Sequence, residues 1–158
     1  MDGSVFSNGM TLYIPPNEDH QRRLMAWAEN IVPGAGIETA TGFGVIRDER
    51  LIAAVFYSNW NPPHFCDIGV VSADPRFMSR RVLHHAFSIP FRTWGVRRLG
   101  SITSRKNKKA RRLLENLGFK LEGIAREGWK PGGDAAVFSM LPHECRWLRD
   151  GENRQGGV

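Results

Sequence analysis

The order of short strand-like and helix-like segments is the feature that most constrains the fold of this 158-residue chain. Hydrophobic residues alternate with a period of two over residues 64–71, whereas Leu24, Trp27, Ala28 and Ile31 recur at helical spacing. Pro, Gly and polar clusters separate the segments, whose order is β-α-β-β-β-α-β-α-β-β. This order predicts an α/β (α+β) fold with a mixed central sheet of about six to seven strands and helices on both faces.

The element boundaries follow from local breakers. Asn17 caps the first helix, the second starts at Ser79 and is ended or kinked by Pro90, and the third lies between Asn107 and Gly118. Strands are predicted at residues 10–14, 41–46, 51–57, 64–71, 97–103, 120–126 and 135–141. The connections predicted with them are a hairpin turn at 47–50, a loop at 58–63, a glycine-rich turn at 128–134 and a last helical turn at 143–149.

Length and composition predict a single domain over residues 1–149, followed by a flexible, polar tail at 150–158. Cys66 and Cys145 lie far apart and match no metal-ligand spacing, so we expect a reduced chain without a metal site, with a disulfide left open. No apolar run reaches about 18 residues and no signal peptide is evident. These features predict a cytoplasmic protein that does not enter a membrane.

The positive charge is concentrated in one region. Twelve of the 22 Lys and Arg residues lie between Asp74 and Glu115, where there is no acid, which leaves ten bases against 16 acids elsewhere. This split predicts an anionic partner. A strand that breaks and leads into a basic helix start suits a phosphate, and Arg76, Ser79, Arg80 and Arg81 lie there. A solvated basic helix end is the alternative, and neither a Walker loop nor a Gly-x-Gly-x-x-Gly motif occurs.

Residues 107–119 (NKKARRLLENLGF) resemble the Asn-x-x-Ala…Leu-Gly-Phe motif of GNAT-fold acyl-CoA N-acyltransferases. The following residues 120–127 (KLEGIARE) are similar to the Phe-x-x-Glu-Gly strand of the subgroup that includes ribosomal-protein N-terminal acetyltransferases. Short phage-encoded members look similar as well, including the Cys145-Arg-Trp ending, which would place the protein in a host cytoplasm. The resemblance covers most of residues 10–141 and is most specific over 107–127.

The resemblance implies acetyl-CoA as co-substrate. The backbone of the fourth strand, at Ile68, Val70 and Val71, would part from the fifth strand and pair with the pantetheine amides. Asn107 would hydrogen-bond the cofactor, unless it is a plain helix cap. The family's pyrophosphate loop would correspond to residues 76–81, with Arg76, Ser79, Arg80 and Arg81, but both of its glycines are missing. Direct charge from the arginines would then replace close backbone approach.

The resemblance also implies direct acetyl transfer to a primary amine of an unidentified acceptor. Leu114 occupies the position where many members carry a proton-donating Tyr, so Ser104 or water is the candidate donor. Asp67 on the fourth strand is the first candidate base, against the alternative of an ordinary hydrogen-bonded strand residue. The rival bases are His64, Glu122 and Glu127. One side of the acceptor site would be formed by the loop at 57–64, which contains Trp60, together with Trp129. The alternative is that both tryptophans only pack against the rest of the protein.

Two other functions compete. The run at residues 105–112 is typical of a nucleic-acid phosphate binder, and DNA-modifying phage enzymes on this fold would combine both activities. Against this, the helix buries one face and the run lacks the interleaved aromatics of single-strand binders. A non-catalytic member of the fold is the third hypothesis, and a homodimer is left open.

Overall fold

The structure, a computed structural model, describes residues 9–37, 39–61 and 63–151. These residues form one seven-stranded sheet in the order β1-β2-β3-β4-β5-β7-β6, with three α-helices, so the predicted mixed fold is confirmed. The strands are β1 Met10–Tyr13, β2 Thr41–Arg47, β3 Arg50–Asn61, β4 Phe65–Ser72, β5 Arg98–Ser104, β6 Lys120–Lys130 and β7 Gly133–Met140. The helices are α1 Glu18–Ile31, α2 Arg80–Ser88 and α3 Lys108–Leu117.

The described residues divide into two compact units, which are considered separately below. The first comprises residues 9–58 and 68–86, and the second comprises residues 59–67 and 87–151. Strands β3 and β4 contribute residues to both units. The predicted tail falls mostly on residues 152–158, which lie outside the described residues, while Arg146–Gly151 is a 3-10 turn. No described helix is long and apolar enough to cross a membrane.

The core of the first unit forms around α1. Asn17 caps this helix as predicted, since its side chain accepts a 3.0 Å hydrogen bond from the His20 N–H. The prediction of its inner face was wrong at two positions, because Ile31 at the helix end is 40% exposed while Met25 is buried. The residues that cluster in this core are Leu24, Met25, Ala28, Ile37, Ala40, Ala54 and Val71.

Strands β2 and β3 form the predicted hairpin. Asp48 and Glu49 make its turn with φ angles of 49° and 61°, the left-handed backbone that tight two-residue hairpin turns require. The prediction of a loop at residues 58–63 was wrong in its start, because β3 continues to Asn61. The polar residues Ser58, Asn59 and Asn61 weaken the strand pattern in the sequence, although the backbone there stays extended apart from Asn59.

Helix α2 ends where Pro90 predicts. The α-helical part stops at Ser88, and Ile89–Thr93 form a π-helical turn in which the Trp94 N–H donates to the Ile89 carbonyl at 2.9 Å. A proline cannot donate the hydrogen bond that an α-helix needs at that position. Trp94 follows the π-turn and is therefore not part of the α-helical face of α2, although it lies at helical spacing from Phe87 in the sequence.

In the second unit, α3 begins and ends as predicted. The Asn107 side chain accepts from the Ala110 N–H at 3.0 Å, and Gly118 ends the helix with a φ of 108°. The α3 leucines are only half-buried. The prediction of a turn at residues 128–134 was too long, because β6 runs to Lys130 and β7 starts at Gly133. The large, fully buried core side chains here include Phe87, Leu99, Phe138 and Met140.

His85 makes the stability of the first unit depend on pH. Its Nε2 is buried without a hydrogen-bond partner, and its ring lies edge-on to Phe43 with the ring centroids 4.7 Å apart. Burial, followed by the neighbouring His84, lowers the pKa of His85 from its ordinary value of 6.5. The unfolded chain therefore binds a proton at His85 more readily than the folded chain does. The contribution of neutral His85 to the free energy of unfolding is thus present above about pH 6.5 and is lost as the pH falls.

When the pH is lowered from neutral to mildly acidic, we expect the free energy of unfolding to decrease less in His85→Leu than in the unmodified chain. The reason is that the variant lacks the group that takes up a proton on unfolding. Urea unfolding at several pH values between about 5 and 7.5 measures the effect. His143→Leu is the matched control, since the His143 side chain is 78% exposed. An unchanged pH dependence in His85→Leu would contradict the prediction.

Candidate active site

Strand β4 pairs with β5 over only three residues. Phe65, Cys66 and Asp67 pair in parallel with Arg98, Leu99 and Gly100. Strand β4 then continues to Ser72 and β5 continues to Ser104, and no further pair joins them among the described residues. Ile68, Val70 and Val71 follow Asp67, the last residue of β4 in this ladder.

In the first unit, a braced turn follows β4. The Asp74 carboxylate accepts from the Arg76 N–H at 2.9 Å and from the Arg76 guanidinium at distances down to 2.6 Å. The hydrogen bonds from Arg76 lower the pKa of Asp74 to about 2. Phe77 anchors the turn because its side chain is buried. Arg76, predicted to contact phosphate, thus has its guanidinium engaged within its own loop.

Helix α2 begins directly after this turn. The Ser79 hydroxyl accepts from the Val82 N–H at 3.2 Å, which makes Ser79 the N-cap of α2. Arg80 and Arg81 are the first two helical residues, and both are exposed. Helix starts carry partial positive charge and N–H groups that no helical carbonyl accepts. Ser79, Arg80 and Arg81 therefore lie together at a position that favours an anion.

In the second unit, the Asp67 carboxylate is hydrogen-bonded at one oxygen, and its other oxygen lies in the space above Gly100. Asn59 donates from Nδ2 to Asp67 Oδ2 at 2.7 Å. The other oxygen lies over Gly100, where a Cβ would collide with Asp67 Oδ1. Asn59 is one of the few non-glycine residues with a positive φ, at 50°. The predicted base thus has a fixed orientation, with Oδ1 free of any protein hydrogen bond among the described residues.

Ser104 is the last residue of β5, and Asn107 is the N-cap of α3. The Ser104 hydroxyl accepts from the Lys106 N–H at 3.3 Å, and the Ser104 carbonyl accepts from the Asn107 N–H at 3.0 Å. The Asn107 Oδ1 is used by the helix cap, so its amide nitrogen is the group that remains to bind a ligand. Asn107 is exposed and Ser104 is half-buried. Both roles weighed for Asn107, helix cap and cofactor contact, are compatible with this geometry.

The rival bases have other roles in the second unit. Glu122 forms an ion pair with Arg98, which lowers its pKa and makes it a poorer proton acceptor. The Glu127 carboxylate accepts from the Gly132 N–H at 2.9 Å and closes the β6–β7 turn. His64 is exposed and lies just before β4. Glu122 and Glu127 thus have structural partners of their own, and Asp67 stays the first candidate base with His64 as its rival.

Sequence reasoning missed Asn59 and Gly100. Asn59 lies in the segment interpreted as a loop, and only the tolerance of Asn for left-handed backbone pointed to a special position. Gly100 lies within an ordinary strand pattern, where an interior glycine signals close approach of another group. Both cysteines are free and buried, and burial raises the pKa of Cys66 to about 11. The described residues contain no group of three or more potential metal ligands.

Comparison with solved structures identifies the fold. A chimera of the spermidine N-acetyltransferase SpeG from Vibrio cholerae with hSSAT matches with a TM-score of 0.67 and 18% identity, covering 89% of this chain and 99% of that one. A GCN5-related N-acetyltransferase from Brucella melitensis matches with a TM-score of 0.67 and 19% identity, covering 95% and 83%. A putative acetyltransferase from T. thermophilus gives 0.66 and 15%, covering 99% and 98%.

No protein-family model matches the sequence, and a search of the curated proteins finds no match either. At 15–19% identity, the structural matches establish that this chain has the GNAT acetyltransferase fold. Fold alone does not fix the reaction, because the same fold can carry different sites.

The contact between Gly100 and Asp67 gives a test of the site geometry. We expect Gly100→Ala to destabilise the chain by about 1–3 kcal/mol, because the added methyl group must displace the Asp67 carboxylate. In an Asp67→Ala background the same change has no carboxylate to displace and should cost at least about 0.5 kcal/mol less. Urea unfolding of the four proteins in this double-mutant cycle measures the difference. Equal costs in both backgrounds would refute the contact.

Proposed function

We propose that this chain is an N-acetyltransferase that transfers the acetyl group of acetyl-CoA to a primary amine by direct attack. The observation that carries the proposal is the early end of the β4–β5 ladder at Asp67, after which β4 continues to Ser72 and a turn leads into the basic start of α2. An extended ligand with amide groups binds a strand edge by main-chain hydrogen bonds. A diphosphate binds a helix N-terminus and arginine side chains. Acetyl-CoA combines both chemical groups in one molecule.

The cofactor contacts in this proposal follow from the site. The backbone at Ile68, Val70 and Val71 pairs with the pantetheine arm. The pyrophosphate lies at Ser79, Arg80 and Arg81, with Arg76 supporting the turn through Asp74. Because the usual glycines are absent, the guanidinium groups contribute more than backbone N–H groups do. Asn107 donates from its side-chain nitrogen.

The chemical step needs one proton acceptor and one donor. The amine attacks the thioester carbonyl carbon, and the tetrahedral intermediate collapses by breaking the carbon–sulfur bond. Asp67 takes the proton from the amine, since Asn59 and Gly100 hold its carboxylate in one orientation. Ser104 or a water molecule protonates the departing thiolate, because Leu114 has no proton to give.

The finer assignments rest on the sequence. Residues 107–127 support placing the chain near the ribosomal-protein N-acetyltransferase subgroup and its short phage-encoded members. We further assign residues 1–149 to one acyltransferase domain that acts in the cytoplasm, of the host if the protein is phage-encoded. The acceptor is proposed only as an amine, on a peptide or a small molecule. Several structural matches are spermidine N-acetyltransferases, which makes spermidine a suitable first probe.

We expect the double variant Arg80→Ala/Arg81→Ala to bind acetyl-CoA more weakly by about 1–3 kcal/mol, because two charge-assisted phosphate contacts are lost. Isothermal titration calorimetry with acetyl-CoA measures the change. The charge-matched control is Arg22→Ala/Arg23→Ala on α1, where both arginines pair with Asp19 at the surface. If both double variants bind equally well, Arg80 and Arg81 do not hold the phosphates.

We expect Asp67→Asn to lower kcat/KM by about 10²- to 10⁴-fold while leaving acetyl-CoA affinity unchanged, because the proton acceptor is removed and the shape is kept. Thiol release from acetyl-CoA, with spermidine and short peptides as acceptors, provides the assay. Glu122→Gln is the control, since Glu122 is already paired with Arg98. Full activity in Asp67→Asn would assign the base elsewhere, and the absence of acetyl-CoA binding to the unmodified chain would end the proposal.

A further inference from the structure

The basic run at residues 105–112 contains six Lys and Arg residues and no acid. Two of the six are braced by the fold of the second unit. The Arg105 guanidinium contacts Asp134 at 3.4 Å, and the Arg111 guanidinium donates to the Arg105 carbonyl at 3.0 Å. The other four are exposed and have no carboxylate partner within the described residues. These four are Lys106, Lys108, Lys109 and Arg112.

The contact between Arg105 and Asp134 joins this run to the tip of the β6–β7 hairpin. The Arg105 N–H also donates to the Asp134 carbonyl at 2.9 Å, so backbone and side chain both hold the hairpin beside the start of α3. Arg126, Trp129 and Lys130 are exposed on this hairpin. The hairpin that Arg105 holds beside the start of α3 therefore carries two further exposed cations and one exposed aromatic ring.

The acids of the hairpin are engaged within it. The Asp134 carboxylate accepts from the Glu127 N–H at 3.0 Å and contacts Arg105, while Glu127 accepts from the Gly132 N–H. Both carboxylates therefore have their partners in backbone N–H groups and one arginine, and not in the exposed cations of α3. The exposed cations keep their charge available to a partner.

Trp129 supplies the aromatic group that the basic run lacks. Its side chain is 40% exposed in the bulged part of β6, where pairing with β7 passes from Ala125 directly to Lys130. A Cβ at Gly133 would lie 3.6 Å from the Trp129 ring, so the indole lies on the side of β7 where Gly133 has no side chain. Exposed aromatic rings and cations on the same part of a protein are the groups that single-strand binders use for base stacking and phosphate contact.

We propose that Trp129, Lys130 and the exposed cations of α3 form a binding surface for single-stranded nucleic acid, with phosphates on the cations and a base on Trp129. An acidic protein would use the cations but would not need the indole. A duplex keeps its bases stacked on each other and presents only phosphates there. The proposed transfer step uses none of these residues, and Trp129, which the sequence also offered as a wall of the acceptor site, belongs to this surface in the present proposal.

Fluorescence anisotropy with labelled oligo-dT and oligo-rU of about 16 nucleotides tests the surface. We expect binding whose affinity falls with salt, with a log–log slope of roughly −3 for four phosphate contacts. Trp129→Ala should weaken binding about 5- to 150-fold, and Trp129→Phe should retain most of it. Lys109→Gln/Arg112→Gln should reduce the steepness of the slope by about 1.4, whereas Arg22→Gln/Arg23→Gln on α1 should leave it unchanged.

Four outcomes would overturn the proposal. These are no binding at low salt, no loss in Trp129→Ala, equal binding of a duplex or of polyglutamate, and displacement of the oligonucleotide by acetyl-CoA. Comparing the DNA and RNA probes identifies which single strand is preferred. Urea unfolding verifies that each variant folds. If Trp129→Ala does not fold, Lys109→Gln/Arg112→Gln and its control Arg22→Gln/Arg23→Gln still test the surface. Because acetyl-CoA binding is measured separately, failure of one proposal leaves the other intact.

Discussion

The three-residue ladder between β4 and β5 is the constraint on which the candidate active site depends. Its last pair is Asp67 and Gly100, and the Asp67 carboxylate fills the space that a side chain at residue 100 would need. Asn59 fixes the second oxygen of the same carboxylate. One residue is therefore both the end of the parallel pairing and the proposed base. The position of the proposed base and the end of the backbone pairing between β4 and β5 are consequently fixed by the same residue.

Sequence predicted the fold wherever local chemistry decides the structure. The limits of α3 follow from the Asn107 cap and the left-handed Gly118, which need only neighbouring residues. Pro90 ends α2 for an equally local reason. The β2–β3 hairpin followed from two β-rich runs around a polar turn. The resemblance over residues 107–127 then placed these elements in the GNAT fold, which the solved structures confirm.

The details of the site were less predictable because they depend on which partner a side chain selects. Arg76 was expected to face a phosphate, but an acid two residues away takes its guanidinium. Asn59 looked like a loop residue, and only the fold brings it to Asp67, eight positions along the chain. Trp129 joins the basic run through the contact between Arg105 and Asp134, which are 29 positions apart. No periodicity in the sequence records contacts of this kind.

The irregularity of β6 has a consequence for self-association. This strand is last in the order of the described sheet and carries the exposed apolar residues Leu121, Ile124 and Trp129, features that invite strand addition by another chain. Its register shifts between Leu121 and Gly123 and again between Ala125 and Lys130. A bent outer edge cannot template a straight neighbouring strand over its whole length. The register shifts of β6 thus disfavour the addition of a second chain along the full length of this edge.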